Sequence, residues 1–126
     1  MIKLKLSSIF VDDQDKALDF YTKKLGLEIK NNISLGEYKW LTVGSADSEF
    51  EMLLEPKAHP AAKEYASAIY KDGITATILY VDDIDKEYKR LIGEGVKFLS
   101  EPADMGGVKL AVFDDTCGNL IRLCQE

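Results

Sequence analysis

Few side chains in this sequence are able to perform nucleophilic or metal chemistry. The chain holds one histidine, His59, and two cysteines, Cys117 and Cys124. His59 stands before Pro60 at the start of a helical segment, which favours a helix-start role over metal ligation. A cysteine becomes nucleophilic when an electropositive group stabilises its thiolate, and Arg122 lies two residues before Cys124. Because buried thiols are more often packing residues, we interpret Cys124 as structural.

The remaining candidate nucleophile is Ser8, which lies in a strand-like run that contains no histidine to activate it. Cys117 falls in the turn-type stretch DDTCGN, and we expect its side chain to be exposed. Two cysteines at this spacing are too few for a disulfide framework or a zinc site. They are typical of a reducing compartment.

Carboxylates are concentrated in the stretch DDQDKALDF, which begins at Asp12. An EF-hand loop needs glycine at its sixth position and glutamate at its twelfth, and this stretch has neither. The pattern instead predicts a helix that Asp13 caps and that Asp15 stabilises from its first turn.

The same pattern occurs twice in the chain. The stretch VDDQDK, from Val11, matches VDDIDK, from Val81, at an offset of 70 residues. One residue is lost before the helices end, so that Gly26 matches Gly95 at an offset of 69. A repeat of this length is a duplicated supersecondary unit.

Each half predicts one strand, one helix and three further strands. The first strand runs from Lys3 to Val11, and its counterpart runs from Thr75 to Val81. The helix of the second half runs from about Ile84 to Glu94. We therefore predict an α+β fold of two tandem βαβββ modules in a single domain over residues 1–126, with curved mixed sheets around a cleft. The modules are residues 1–57 and 74–126, and a linking helix within residues 58–73 has Pro60 at its first position.

Composition limits the classes of partner. The chain has 126 residues, 46% of them hydrophobic, and a formal net charge of −6. This charge disfavours nucleic acid and mildly favours neutral or cationic small molecules. We see no signal peptide and no apolar run of membrane-spanning length, so no membrane partner is predicted and the cytoplasm is the expected location.

The two modules, the pattern DxxxAxxFYxxxLG from Asp13 to Gly26 and the closing DxxGNxIxL up to Leu123 resemble the vicinal oxygen chelate superfamily. This superfamily includes glyoxalase I, extradiol dioxygenases and the bleomycin-resistance proteins. The resemblance implies a homodimer. It leaves the activity open, because one fold carries isomerases, dioxygenases, transferases and binding proteins.

In metal-dependent relatives, histidines or carboxylates on the first and a later strand of each half hold the metal. The resemblance places Leu6 and Ala76 at the two first-strand positions, and Arg122 at the position of a glutamate. The remaining position is Glu51, within one or two residues. We therefore predict that the protein has no metal or other cofactor, since a single carboxylate cannot replace the hydration of a divalent cation.

Strand alternation predicts an apolar, aromatic-lined cleft on the face that carries the ligands in such relatives. Ordinary core packing is the alternative for its aromatic residues. Glu51 and Arg122 are expected either to neutralise each other or to bind a charged ligand. The predicted ligand-binding residues are Ser8, Phe10, Tyr38, Trp40, Glu51, Tyr80, Arg122 and Cys124.

Three functions fit this sequence. The favoured one is metal-independent binding, as in drug-sequestering resistance proteins, of a small organic ligand that is aromatic or charged. The second is a metal-dependent lyase, isomerase or dioxygenase. The third is a noncatalytic regulatory or partner-binding module.

Overall fold

The computed structural model describes residues 1–126 and divides the chain into two compact units, Met1–Lys63 and Glu64–Glu126. Each unit contains one mixed β-sheet and a helix that follows the first strand of that sheet. The predicted α+β class and the βαβββ order of both modules are confirmed. The linking helix, α2 (Pro60–Lys71), begins at Pro60 as predicted and spans the boundary between the units. No helix has the length and apolar character needed to cross a membrane.

The first unit holds a four-stranded sheet in the order β1-β4-β3-β2. Strand β1 is parallel to β4, and the other neighbours are antiparallel. The elements are β1 (Leu6–Val11), α1 (Gln14–Asp19), a π-helical turn (Phe20–Lys24), β2 (Glu28–Leu35), β3 (Tyr38–Gly44) and β4 (Glu51–Pro56).

The second unit repeats this order, with strands β5-β9-β8-β6 in sequence across the sheet. A short additional strand, β7, pairs with β8 and was not predicted. The elements are β5 (Thr77–Tyr80), α3 (Ile84–Gly93), β6 (Lys97–Phe98), β7 (Ala103–Asp104), β8 (Lys109–Asp114) and β9 (Leu120–Gln125).

Each helix covers one face of its own sheet, where the core of that unit lies. In the first unit, the fully buried side chains of Val11, Leu41 and Leu54 line this face, and Ala17 and Tyr21 bury the helix side. In the second, the equivalent core is formed by Ile84, Leu91, Ala111, Phe113, Ile121 and Leu123. The opposite face of each sheet is turned away from this helix, and on the second sheet it carries Asp114, which accepts a hydrogen bond from the hydroxyl of Tyr70 in α2.

The repeated acidic motif fixes each helix to its sheet by the same contacts. The carboxylate of Asp13 accepts hydrogen bonds from the main-chain N–H groups of Asp15 and Lys16, which confirms the predicted cap at the start of α1. Asp83 caps α3 in the same manner. Asp15 pairs with Lys39, and their counterparts Asp85 and Lys109 form an ion pair with the same sequence separation of 24 residues.

The first half contains one residue more than the second between the repeated VDD motif and the glycine that ends the helix. This additional residue lies in the π-helical turn. The N–H of Leu27 donates to the carbonyl of Tyr21, six residues earlier. The equivalent bond in the second unit joins Val96 to Leu91, five residues earlier. A π-turn accommodates one inserted residue within a helix, so the one-residue change of offset in the repeat is the sequence signal of this turn.

Candidate functional site

The open face of the first sheet, the face turned away from α1, is apolar and exposed. Cross-strand partners project to the same side of a sheet, and Ile33 lies opposite Trp40 while Leu35 lies opposite Tyr38. The exposed fractions are 51% for Ile33, 61% for Leu35, 43% for Tyr38 and 38% for Trp40. Adjacent apolar side chains of this size on an exposed face are typical of a site that binds another molecule.

This open face brings together the predicted residues of the first module. Strand β1 pairs with β4 so that Leu6 lies opposite Glu51 and Ser8 lies opposite Leu53. The remaining strand positions follow by alternation. The predicted residues that share the face are Ser8, Phe10, Tyr38, Trp40 and Glu51.

A hydrogen-bonded polar group lies within the apolar surface. The hydroxyl of Thr42 donates to Oε1 of Glu51 over 2.5 Å, and Nδ2 of Asn31 donates to the same oxygen over 2.8 Å. Nδ2 of Asn31 also lies 3.2 Å from Oγ1 of Thr42. Thr42 is fully buried and Glu51 is half-buried. Oε2 of Glu51 accepts no hydrogen bond from the chain.

These contacts favour the ionised form of Glu51. The hydrogen bonds from Thr42 and then Asn31 hold the pKa of the Glu51 carboxyl below its ordinary value, against the opposing effect of partial burial. The positive charges of Lys5 and Lys30 lower this pKa further. The open face therefore presents one carboxylate oxygen that is fixed in place and able to accept a hydrogen bond.

Sequence reasoning missed Asn31, which is absent from the predicted ligand-binding residues. The signal is the two-residue turn at Gly36 and Glu37, where Gly36 has a φ of 72°. A turn of two residues fixes the register of a hairpin. Counting outward from it places Asn31 opposite Thr42, as observed.

The open face of the second sheet carries the other predicted residues. Ile78 lies opposite Arg122, and Tyr80 lies opposite Cys124. Tyr80 is 63% exposed, whereas Cys124 is buried. Arg122 is half-buried and makes no ion pair with an acidic side chain of its unit. Within its unit Glu51 is bonded to Thr42 and Asn31, and its pairing with Arg122 stays a prediction.

Comparison with known proteins supplies the family. The sequence model of the Glyoxalase/Bleomycin resistance protein/Dioxygenase superfamily matches residues 3–123. This chain belongs to that superfamily. The resemblance predicted from the repeated motif is thereby confirmed.

Several members of the superfamily are similar over their whole length. The uncharacterized protein YurT of Bacillus subtilis (strain 168) is 52% identical over 127 residues, which cover 99% of this chain and 100% of YurT. The crystal structure of UcmS2 is 36% identical, with a TM-score of 0.87 over 100% of this chain and 99% of UcmS2. TnmS3 from Streptomyces sp. CB03234, described as an antibiotic binding protein, is 26% identical, with a TM-score of 0.79 over 99% of this chain and 96% of TnmS3.

The residues at the superfamily's metal positions do not fit a divalent cation. Leu6 and Ala76 offer no donor atom, and Arg122 is a cation. Ser8 in the first unit corresponds to Ile78 in the second. Ser8 lies opposite Leu53, and Ile78 lies opposite Arg122. The first-unit residue equivalent to Arg122 is therefore Leu53, and not Glu51. No three histidine, cysteine, aspartate or glutamate side chains lie close enough together to hold a metal ion.

His59 bonds to the backbone at the start of α2, and both cysteines are buried. Nδ1 of His59 accepts the N–H of Ala61 over 3.0 Å, which confirms its role at the start of α2. The burial of Cys124 agrees with the packing role predicted for it. The predicted exposure of Cys117 is wrong, because this side chain is fully buried.

The reason for the burial of Cys117 is a carboxylate inside its turn. Asp115 is fully buried. Its Oδ1 accepts hydrogen bonds from the main-chain N–H groups of Cys117 (2.7 Å) and Asn119 (3.0 Å). Its Oδ2 accepts a hydrogen bond from Nδ2 of Asn119 (2.9 Å). The turn folds around this carboxylate, which carries Cys117 inward and holds the start of β9.

Proposed function

We propose that this protein binds a small aromatic organic molecule on the open face of its first sheet, without a metal ion. The observation that carries the proposal is the exposed surface of Trp40, Tyr38, Ile33 and Leu35 on the same face of the sheet as the hydrogen-bonded carboxylate of Glu51. Small-molecule sites combine apolar and aromatic walls with a few placed polar groups. When an aromatic ring packs against such side chains, the binding free energy is more favourable than the buried apolar area alone provides.

The comparisons support binding over catalysis. TnmS3 is described as an antibiotic binding protein, and the positions that hold a metal in the enzymes of the superfamily carry Leu6, Leu53, Ala76 and Arg122 here. The proposal extends, for the second unit by itself, to Tyr80 and Arg122 on the open face of its sheet, whereas Cys124 is buried. We also propose a cytoplasmic homodimer, following the superfamily resemblance and the composition.

A direct test uses the indole of Trp40, since this is the only tryptophan of the chain. Protein labelled with ¹⁵N is titrated with 2-naphthol, 2-methoxynaphthalene and 2-naphthylmethylammonium as aromatic probes. We expect a saturable shift of the single indole N–H peak. If the three probes leave this peak unmoved, the binding site does not lie on the open face of the first sheet.

A matched pair of variants localises the contact. Tyr38→Ser removes an exposed aromatic ring from the open face, and Tyr65→Ser removes an exposed ring from α2. We expect Tyr38→Ser to weaken probe binding by about tenfold, as for the loss of one aromatic contact, and Tyr65→Ser to leave it unchanged. Equal effects would contradict the proposed location.

Metal dependence is tested on the same protein. We expect no stoichiometric metal after purification without a metal-binding tag, and the same probe affinity before and after treatment with EDTA. A bound metal whose removal abolishes probe binding would instead support the lyase, isomerase or dioxygenase alternative. Recovery of unaltered probe after prolonged incubation distinguishes binding from turnover.

A further inference from the structure

We propose that Glu51 selects ligands that carry a neutral hydrogen-bond donor, such as a phenolic O–H or an amide N–H, over equally sized ligands that lack one. This inference rests on the proposed function and names the chemical class that the site accepts. Glu51 is the ligand contact. Asn31 and Thr42 are positioning residues that act through it.

The two carboxylate oxygens of Glu51 have different hydrogen-bond partners. Oε1 accepts from both Thr42 and Asn31, at 2.5 and 2.8 Å. These two contacts fix the plane of the carboxylate, and Oε2 is left without a partner from the chain. A carboxylate oxygen is an acceptor only, so it favours a ligand atom that donates.

A ligand without a hydrogen-bond donor would leave Oε2 of Glu51 without a partner when it covers this carboxylate. Leu6 lies opposite Glu51 on the open face. Trp40 and Ile33 lie on the same face, two residues along their strands from Thr42 and Asn31. An aromatic ring that covers this surface withdraws water from Oε2. A desolvated carboxylate oxygen without a hydrogen bond is unfavourable. The affinity of a ligand therefore depends on whether it donates a hydrogen bond to Oε2 in place of the displaced water.

Two lysines near Glu51 make a neutral donor and a cationic ligand unequal at this site. Lys5 and Lys30 lie near enough to Glu51 to favour its charged form. Lys30 is also 3.9 Å from Glu28, a weak contact. The two ammonium groups offset the charge of Glu51, so an ammonium ligand would gain less attraction there than beside an isolated carboxylate. A neutral donor makes the hydrogen bond without this repulsion.

The test compares three probes of one ring size by titration of the Trp40 indole peak at pH 7. 2-Naphthol carries an O–H donor, 2-methoxynaphthalene lacks one, and 2-naphthylmethylammonium is a cation. We expect 2-naphthol to bind tighter than 2-methoxynaphthalene by about tenfold or more, as for a hydrogen bond to a charged acceptor. 2-Naphthylmethylammonium should bind no tighter than 2-naphthol.

Variants of Glu51 assign the preference to this side chain. In Glu51→Gln, the amide oxygen keeps the bonds from Thr42 and Asn31, and the NH₂ group takes the place of Oε2. The acceptor becomes a donor, so the advantage of 2-naphthol should be lost. Glu49→Gln makes the same change on an exposed residue outside the strand and should keep the advantage.

Thr42 provides a second and independent variant. Thr42→Val removes the hydroxyl with little change of shape and should reduce the preference for 2-naphthol, whereas Thr42→Ser keeps the hydroxyl and should retain the preference. Equal affinities for 2-naphthol and 2-methoxynaphthalene, or tightest binding of the ammonium probe, would overturn this inference and leave the proposed function standing. An indole peak unmoved by all three probes would overturn both.

Discussion

Replacement of Asp115 by alanine should strongly destabilise the second unit. The fully buried carboxylate of Asp115 accepts three hydrogen bonds, from the N–H of Cys117, the N–H of Asn119 and Nδ2 of Asn119. A hydrogen bond to a charged group contributes about 1.5–3 kcal/mol. Because the opened turn admits some water, we expect a total loss of about 3–5 kcal/mol, less than the full sum.

The loss is measured by thermal unfolding followed by circular dichroism. For a chain of this length, about 1 kcal/mol corresponds to about 4 °C, so Tm should fall by about 10–20 °C. Asp115→Asn should cost less, since one oxygen is kept, although its NH₂ group then faces Nδ2 of Asn119. Asp47→Ala, an exposed control, should stay within about 0.5 kcal/mol of the wild type. A loss below about 1 kcal/mol in Asp115→Ala would refute the assigned role of these bonds.

Three further changes test the caps, a close contact and the ionised glutamate. Asp13→Ala should lower the free energy of unfolding, measured in urea, by about 1 kcal/mol. Asp83→Ala should lower it by less, because Asp13 accepts hydrogen bonds from two main-chain N–H groups and Asp83 accepts from one. Equal losses in the two variants would contradict the assignment of the larger effect to the second hydrogen bond of Asp13. Gly44→Ala should cost about 1–3 kcal/mol, because a Cβ there would lie 2.7 Å from the carbonyl oxygen of Phe50, and an unchanged Tm would contradict this contact. The pKa of Glu51 is lowered from 4.5 by its hydrogen bonds from Thr42 and Asn31, so its stabilising effect is present above that value and is lost as pH falls. Acidification from about pH 6 to about pH 3 should therefore destabilise the wild type more than Glu51→Gln, and parallel pH profiles would disprove the coupling.

The order of elements could be predicted from the repeat, whereas strand ends depended on pairing. The alternation from Lys3 onward reads as strand, yet β1 begins at Leu6. Its partner β4 begins at Glu51, which lies opposite Leu6. The carbonyl of Lys5 accepts the N–H of Glu51, and the residues before Lys5 have no partner strand in this sheet. Alternation along one segment does not show where its partner strand begins.

The candidate site could be predicted in part for a similar reason. Alternation grouped Ser8, Tyr38, Trp40 and Glu51 on one face, since this property is local to each strand. Asn31 was missed because its pairing with Thr42 is set by the two-residue turn that joins β2 to β3, and not by the alternation within either strand.

The turn of the second unit shows a different limit. Asp114 and Asp115 are consecutive residues of the same type. Asp114 accepts the hydroxyl of Tyr70 near the surface, whereas Asp115 is fully buried and bonded to its own turn. Only the fold of the turn distinguishes them, and the predicted exposure of Cys117 was wrong for that reason.

A single added residue has different effects in the two kinds of element. In a strand it would exchange the two faces for every residue that follows, and Trp40 would then point toward α1. In the first unit the added residue lies in the helix, where the wide turn absorbs it and Leu27 still bonds to Tyr21. The two copies of the motif therefore differ in length while each sheet keeps the same side chains on its open face.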